Sequence, residues 1–349
     1  MSGPVIGWDL GGAHIKGARI GASGLVEHVV QIPCPLWQGM PHLEAALDQA
    51  ADRLGRAPLH AVTMTGEMVD LFADRREGVA RLTASIRARV ADAALWLYGG
   101  SDGFLDPNDA GPEARRIASA NWMATASLVA ECLPAALLID IGSTTTDLVA
   151  VEGGRVHAGG RDDAERLALG ELLYTGIVRT PLMAVASQVP FAGAWIPVMA
   201  EHFATAADIH RMCGTLPDGA DQHPTADGGE KTVPASARRL ARMIGHDMDT
   251  ADPAAWRALA AWLARAQARA IGDGCDRLLS AGRLSAEAPI VGAGVGRFIA
   301  AQLARERQRP YVDFGSLVGG GENERRLAAD CAPAVAVAWL ARRRAQGPV

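Results

Sequence analysis

Residues 137–151 read LLIDIGSTTTDLVAV: an apolar run ending on Asp140, a turn at Gly142-Ser143, three threonines, and Asp147 leading into a second apolar run. Val, Ile and Thr favour the pleated conformation and glycine permits a tight reversal, so this stretch predicts two strands joined by a turn. An acid at a strand end is placed to hold a divalent cation, directly or through water. The N–H groups of Gly142, Ser143, Thr144 and Thr145, with the hydroxyls of Ser143 and Thr145, form a cradle for phosphate. On a period of two, Ser143, Thr145 and Asp147 share one face. The competing reading is a polar hairpin whose acids merely face water.

The same unit occurs at the N-terminus. Residues 5–20 read VIGWDLGGAHIKGARI: an apolar strand, Asp9, Gly11-Gly12, and a second strand carrying Lys16. Laid on one another, Asp9 matches Asp140, Gly11 matches Gly142, Gly12 matches Ser143 and Lys16 matches Asp147. The offset, 140 − 9 = 131 residues, is about the size of one domain. It predicts two like domains that grip phosphate between their turns, with Asp9 and Asp140 sharing one cation, rather than a solenoid. Neither turn is a Walker P-loop, because G-x-x-x-x-G-K-[ST] is absent from both.

A third glycine segment, IVGAGVGRF at 290–298, is a strand, then Gly292, Gly294 and Gly296, then a helix start. The Rossmann spacing and its following ribose acid are missing. Two phosphate hairpins followed by a strand–glycine–helix segment resemble the fold shared by acetate and sugar kinases, Hsp70 and actin. That resemblance implies an α/β, two-domain actin-like ATPase fold with a central phosphate cleft, in which Gly292, Gly294 and Gly296 stand for the adenosine motif. The chain is more closely similar to the hydantoinase A/oxoprolinase branch. Within it, the chain resembles small proteins of the tetrahydromethanopterin-linked one-carbon pathway, relatives of the methanofuran-biosynthesis condensing enzyme. The segments that carry this are MTGEMVDLFADRREGV from Met64, SANWMATA from Ser119, RLALGELLYTGIVRTPL from Arg166, TADGGEKT from Thr225 and SARRLARMIGHD from Ser236.

The resemblance implies a first domain over 1–134, joined by a C-terminal helix at 333–345, and a second over 135–332 with a polar loop at 205–232. It implies a transferase that condenses an aminomethyl-furanylmethyl diphosphate with the phenol of a γ-glutamyl-tyramine-like acceptor and releases pyrophosphate. Mg²⁺ would be held by Asp9 and Asp140. The diphosphate would lie on Gly11, Gly12 and Gly142 to Thr145, with Lys16 adding a point charge. Asp147 is the first candidate for base or outer metal partner, and Asp227 the second. The alternative is an ATP-dependent kinase or an oxoprolinase-like hydrolase, with ATP·Mg²⁺ on the same residues. The Ala13-His14 pair departs from the kinase pattern, where a Thr is usual.

Composition narrows the partners. Hydrophobic residues make up 49% and charged residues 21%, with a net charge of −5 and a pI near 6.0. No basic surface is advertised, so nucleic acid is disfavoured. The five cysteines are scattered with no C-x-x-C pair, which fits a reducing cytosol and neither a zinc ribbon nor a disulfide framework. No basic region precedes an apolar run at the N-terminus. The most apolar stretch, 128–151, is broken by Glu131, Pro134, Asp140 and Asp147 and is unfit to span a bilayer. A cytoplasmic protein acting on small molecules is expected, with no membrane partner; a homo-oligomer stays open.

Along the chain, strands are expected at 25–32 and 61–64, and helices at 42–54, 75–97, 121–132, 163–173, 234–243, 252–279, 298–309 and 333–344. The 61–64 strand delivers Thr65-Gly66-Glu67. Glu67 reads either as a site residue at a strand end or as an acid favoured at a helix start. Trp122 reads as core or as a cleft wall. Arg179 reads as a planar fork for carboxylate or phosphate, or as a surface ion pair. His210, Cys213 and His223 lack a fourth ligand at zinc spacing.

Overall fold

A computed structural model of the chain describes residues 3–90 and 92–347. It divides into two compact units, one of Met1–Leu138, Val149–Arg166 and Val312–Val349, the other of Ile139–Leu148 and Leu167–Tyr311.

The first sheet contains β1 (Val5–Leu10), β2 (His14–Ile20), β3 (Val26–Pro33), β4 (Leu59–Met64), β5 (Ala94–Tyr98) and β6 (Phe104–Leu105), in the order β3-β2-β1-β4-β5-β6. β1 to β3 form an antiparallel meander, while β4 and β5 run parallel to β1. β1 and β4 are buried along their whole length. Such central parallel strands, covered on both faces, read as continuous apolar runs rather than alternations. The helix Met40–Leu54 turns Leu43, Ala46, Leu47, Ala50 and Leu54 inward, the helical spacing the sequence displays. These residues share a core with Trp8, Leu10, Val62, Met64, Val79 and Leu82.

The C-terminal helix Ala332–Gln346 belongs to this same unit and packs on β1. Its approach explains Gly7. A Cβ there would stand 2.1 Å from the Ala334 carbonyl oxygen and 2.8 Å from the Ala338 methyl carbon, far inside van der Waals contact. The helix expected at 75–97 is shorter: it runs Arg75–Arg89, capped by the Asp74 side chain accepting from the Glu77 N–H, and the segment beyond returns as β5. Leu95 and Leu97 pair in parallel with β4, so tertiary pairing overrides the local helical pattern.

The second sheet is built from β7 (Ala135–Ile141), β8 (Thr146–Glu152), β9 (Arg155–His157) and β10 (Leu172–Leu173). β11 (Gln188–Phe191) and β12 (Ala194–Pro197) form a separate hairpin. β13 (Ile290–Ala293) and β14 (Tyr311–Asp313) complete the sheet in the order β10-β8-β7-β13-β14, with β9 beside β8. Numbered from its own first strand, this path is 4-2-1-5-6 with strand 3 also on strand 2, so both sheets set strand 1 between strand 2 and a later strand. The repeat therefore extends well beyond the two turns.

Two expectations change here. The helix expected at 163–173 stops at Ala168, and Leu172–Leu173 pairs with Asp147 and Thr146. The stretch expected as a polar loop at 205–232 opens with a helix, Ala206–Cys213, started by a capping box between Thr205 and Asp208. Its Asp208 and His210 are buried in hydrogen-bond networks, which is why it reads as polar while being core. Together with helices Val233–Arg242 and Pro253–Leu279 it encloses a second core around Phe191, Leu240, Met243, Trp256 and Leu263. No described helix is long and apolar enough to cross a membrane.

Candidate active site

In the second unit the expected turn is present and tightly closed. β7 ends at Ile141 and β8 begins at Thr146, so Ser143 to Thr145 lie in the turn, not on a strand face shared with Asp147. The Gly142 N–H is spent on closing the turn, donating to the Thr145 carbonyl at 2.8 Å. The N–H groups of Ser143, Thr144 and Thr145 make no backbone hydrogen bond among the described residues. They remain half-buried donors beside three hydroxyls, an arrangement suited to an anion.

The next segment is laced to the turn's outer carbonyls. Ile177 N–H donates to Gly142 O at 3.1 Å, and Val178 and Arg179 N–H donate to Ser143 O at 3.1 and 2.8 Å. Thr146 Oγ1 donates to the Thr175 carbonyl at 2.6 Å. Gln267 Nε2, from the long helix, donates to Thr175 Oγ1 and to Gly176 O, and its Oε1 meets His210 Nε2 at 2.9 Å. Burial pulls the His210 pKa down, with the Gln267 contact opposing. This polar lacing gives the turn a rigid base. Burial likewise lowers the Arg179 pKa, nearby Tyr174 opposing; Tyr174 itself is exposed.

The third glycine segment packs directly on this turn. Gly296 N–H donates to Ile141 O at 2.8 Å. Gly294 has φ +77°, and a Cβ there would fall 2.2 Å from Ile141 O and 2.6 Å from Asp140 Oδ1. Asp140 is buried at the end of β7. Gly142, Ser143, Thr144, Thr145, Asp140, Gly294 and Gly296 therefore stand together in one unit. Gly292 faces elsewhere: the position of its missing Cβ lies against the Tyr311 ring. Asp147 sits on β8 opposite Leu172, almost fully buried.

The first unit repeats these bonds. Gly11 N–H donates to His14 O at 3.0 Å, 131 residues before the Gly142–Thr145 bond, and Leu36 N–H donates to Gly12 O at 3.1 Å where Arg179 N–H meets Ser143 O. Asp9 pairs across the strands with Lys16, and Lys16 Nζ lies 3.7 Å from Asp9 Oδ2. Thr65 N–H donates to Leu10 O at 3.0 Å, the counterpart of the Gly296 bond to Ile141. In this unit, then, Thr65-Gly66-Glu67 occupies the place held by the third glycine segment in the other.

Sequence reasoning placed Glu67 at a strand end but missed its partners. Glu67 is 1% exposed. Ser119 Oγ lies 2.7 Å from Glu67 Oε1 and 3.1 Å from Asp163 Oδ2, and Arg75 Nη2 donates to Asp163 Oδ2 at 2.8 Å. Glu67 Oε2 is buried without a hydrogen-bond partner. Burial pushes the Glu67 carboxyl up to about 7, with Ser119 and Arg75 pulling the other way. Ser119 holds φ +51°, a left-handed conformation that costs a serine on the order of 1 kcal/mol. Beside the cluster, the Arg166 guanidinium carbon lies 3.9 Å from the centre of the Trp122 ring, so Trp122 is core with a charged neighbour. The sequence signals for this cluster were the strand-end position of Glu67 and the occurrence of Glu67, Arg75 and Ser119 in the family-like segments.

Asp227 is engaged elsewhere. It accepts from Thr225 Oγ1 and Gly229 N–H and pairs with the buried Arg239 at 3.1 Å. Arg239 also binds the buried Asp208, so Asp227 ties the 225–232 loop to the helix behind it. His210 spends both ring nitrogens on Thr215 and Gln267, which removes the zinc reading. Among the described residues no group of three or more His, Cys, Asp and Glu side chains converges as a metal cluster. A buried strand-end carboxylate beside unspent anion donors suits Mg²⁺, which keeps water and substrate phosphate oxygens as most of its ligands.

The comparisons agree with this architecture. The chain is 28% identical over 246 residues to the (4-{4-[2-(gamma-L-glutamylamino)ethyl]phenoxymethyl}furan-2-yl)methanamine synthase of Methanocaldococcus jannaschii, over 70% of this chain and 72% of that protein. It is 32% identical over 113 residues to the synthase of the same description from Methanococcus vannielii, covering 32% of this chain and half of that one. Among solved structures, nucleotide-free acetone carboxylase aligns with a TM-score of 0.54 at 10% identity, over 86% of this chain and 66% of that one. The fold is that of the actin-like ATPases. The Hydantoinase/oxoprolinase family matches residues 59–311, most of the chain's length, and the chain belongs to that family.

Proposed function

We propose that this chain is an enzyme of methanofuran-type cofactor biosynthesis, a transferase that joins a phenol oxygen to a furanylmethyl carbon as diphosphate departs. The observation that carries the reading is the Gly142–Thr145 turn, whose three uncommitted N–H groups and hydroxyls suit a diphosphate. The printed description of the relatives, a phenoxymethyl-furan synthase, supplies the organic partners.

Asp140 would hold Mg²⁺, which neutralises charge on the leaving diphosphate. Ser143, Thr144 and Thr145 bind its oxygens, and Arg179, anchored to Ser143 through its own N–H, adds a planar fork. Asp147 serves as outer partner to Asp140 in the position that Lys16 holds beside Asp9 in the repeat. Lys16 contributes positive charge at the Gly11–Gly12 turn. The acceptor phenol has an ordinary pKa of about 10, so a carboxylate or a histidine must take its proton.

The test is direct. With Mg²⁺, an aminomethyl-furanylmethyl diphosphate and a γ-glutamyl-tyramine-type phenol, the protein should release pyrophosphate in step with ether formation, measured by mass spectrometry. Gly294 and Gly296 against Ile141 and Asp140 favour a second reading, in which the turn holds ATP. ATP hydrolysis with no ether formed would select that reading and reject the first.

A further inference from the structure

Gln267 stands where the long helix Pro253–Leu279 calls for an apolar residue. It lies on the helix's buried face, four residues from Leu263 on one side and from Ile271 on the other, the spacing that stacks side chains in one stripe. An amide on such a face is costly unless its donors and acceptor are met, and here all of them are. Gly176 O can only accept, so the end of Gln267 that faces it is the NH2 group. One of its hydrogens goes to Gly176 O at 2.9 Å and the other to Thr175 Oγ1 at 2.8 Å. Oε1 therefore faces His210, whose Nε2 carries the hydrogen between them, and His210 Nδ1 accepts from the Thr215 hydroxyl at 2.9 Å. Apolar side chains of the same size would fill this layer about as well, so packing does not account for the pair.

What the pair grips is Gly176. Thr180 Oγ1 takes the Gly176 N–H at 2.8 Å and donates to Gly176 O at 2.9 Å, so that carbonyl is filled from both sides. Gly176 lacks a left-handed φ, and only close approach calls for glycine there. A Cβ would press on Thr144 N and Ser143 C and stand 2.7 Å from Gly142 O. Gly176 thus lies against the peptide that joins Ser143 to Thr144, whose N–H is one of the uncommitted donors of the turn. The oxygen of that same peptide, Ser143 O, is held by the Val178 and Arg179 N–H groups. We infer that Gln267, set by His210, and Gly176 are positioning residues for anion binding, which fix the plane of the Ser143–Thr144 peptide and aim its N–H at a diphosphate oxygen. The inference rests on the anion-binding reading of the turn proposed above, and serves a diphosphate ester and the phosphates of ATP alike. A hydrogen bond weakens steeply as its N–H turns out of line, and a donor fixed in advance costs nothing to orient when the anion arrives.

Isothermal titration of the full chain with Mg²⁺ and inorganic pyrophosphate tests this, with thermal unfolding of each variant alongside. The double variant Gln267→Met/His210→Leu makes both members of the buried pair apolar, so neither is left facing the other unpaired. It should melt close to the parent and bind pyrophosphate on the order of tenfold more weakly. Gly176→Ala carries the same test without touching the pair, and should lose at least as much because its methyl group displaces the Thr144 N–H. His210→Gln, which can place an amide nitrogen where Nε2 stood, should bind like the parent. Leu240→Val, in the core around Trp256, should lower the melting temperature and leave the affinity unchanged. A parent that binds pyrophosphate, with the double variant and Gly176→Ala binding equally well, overturns the inference and leaves the anion site standing. Affinity that falls in Leu240→Val as it falls in the others makes the effect one of stability, and overturns the inference too. A parent that binds no pyrophosphate overturns the anion reading of the turn and the inference with it.

Discussion

Replacing Glu67 by glutamine measures the cost of burying its charge without any substrate. Glutamine keeps the size and can still bond to Ser119, but holds no titrating proton. In the folded chain the Glu67 carboxyl is pushed from its ordinary 4.5 up to about 7. Below 4.5 both folded and unfolded chains hold the proton. Between the two values the unfolded chain releases it and the folded chain keeps it, so stability falls as pH rises. Above 7 the whole cost is present. A rise from 4.5 to about 7, at about 1.4 kcal/mol per unit, is worth on the order of 3 kcal/mol. Glu67→Gln escapes that loss, so its stability relative to the parent should climb by about this amount between pH 4 and pH 8. His60 runs the other way: burial lowers its pKa from 6.5 to about 4, so it adds stability as pH rises through that window. It does so equally in both chains and cancels in the difference. Urea unfolding at pH 4, 5.5 and 8, followed by circular dichroism, gives the numbers. A parent–variant difference that does not change with pH would refute the buried-charge account.

Other consequences are equally checkable. Gly294→Ala should destabilise the second unit by about 2–4 kcal/mol, combining a left-handed φ with a Cβ pressed on Ile141 O; an unchanged melting temperature counts against that packing. Asp140→Asn should leave the fold intact and slow pyrophosphate release about a hundred-fold or more, equivalent to roughly 3 kcal/mol of transition-state stabilisation; undiminished single-turnover release would make the turn a scaffold. Arg179→Lys should weaken diphosphate binding, because a point charge replaces a planar fork, and isothermal titration with pyrophosphate and Mg²⁺ reads it.

What the sequence made legible was whatever a short window encodes. Asp140 and Asp9 at strand ends, the glycine turns and the amphipathic helix Met40–Leu54 all follow from local period and turn chemistry. The C-terminal helix was equally visible. β5 was hidden because Ala94 to Tyr98 continues an apolar, alanine-rich pattern that suits a helix until a parallel neighbour is available to pair with it. Helix Ala206–Cys213 was hidden for the opposite reason: its polar residues face inward, onto Arg239 and Gln267. The Glu67 cluster was half legible. An acid just past a parallel strand drew notice, but Ser119 lies 52 residues away and Asp163 a further 44, and no local pattern links them.

The repeat gives the two units one scaffold and leaves their strand ends free to differ. Gly11–His14 and Gly142–Thr145 close by the same hydrogen bond, and Thr65 meets Leu10 as Gly296 meets Ile141. At that second position the second unit places Gly294, whose missing Cβ lets Asp140 and the Ile141 carbonyl approach. The first unit places Thr65-Gly66-Glu67 there, and a buried carboxyl follows where the other unit continues into a helix. The hydroxyl loading also differs. Ser143, Thr144 and Thr145 fill the second turn, while Gly12, Ala13 and His14 fill the first. The cross-strand partner changes sign as well, Lys16 beside Asp9 where Asp147 follows Asp140. The duplicated turn kept its closing bond while each unit acquired its own strand-end chemistry: half-buried N–H groups and hydroxyls at Ser143 to Thr145 in the second, and Lys16 beside Asp9 with the buried Glu67 carboxyl in the first.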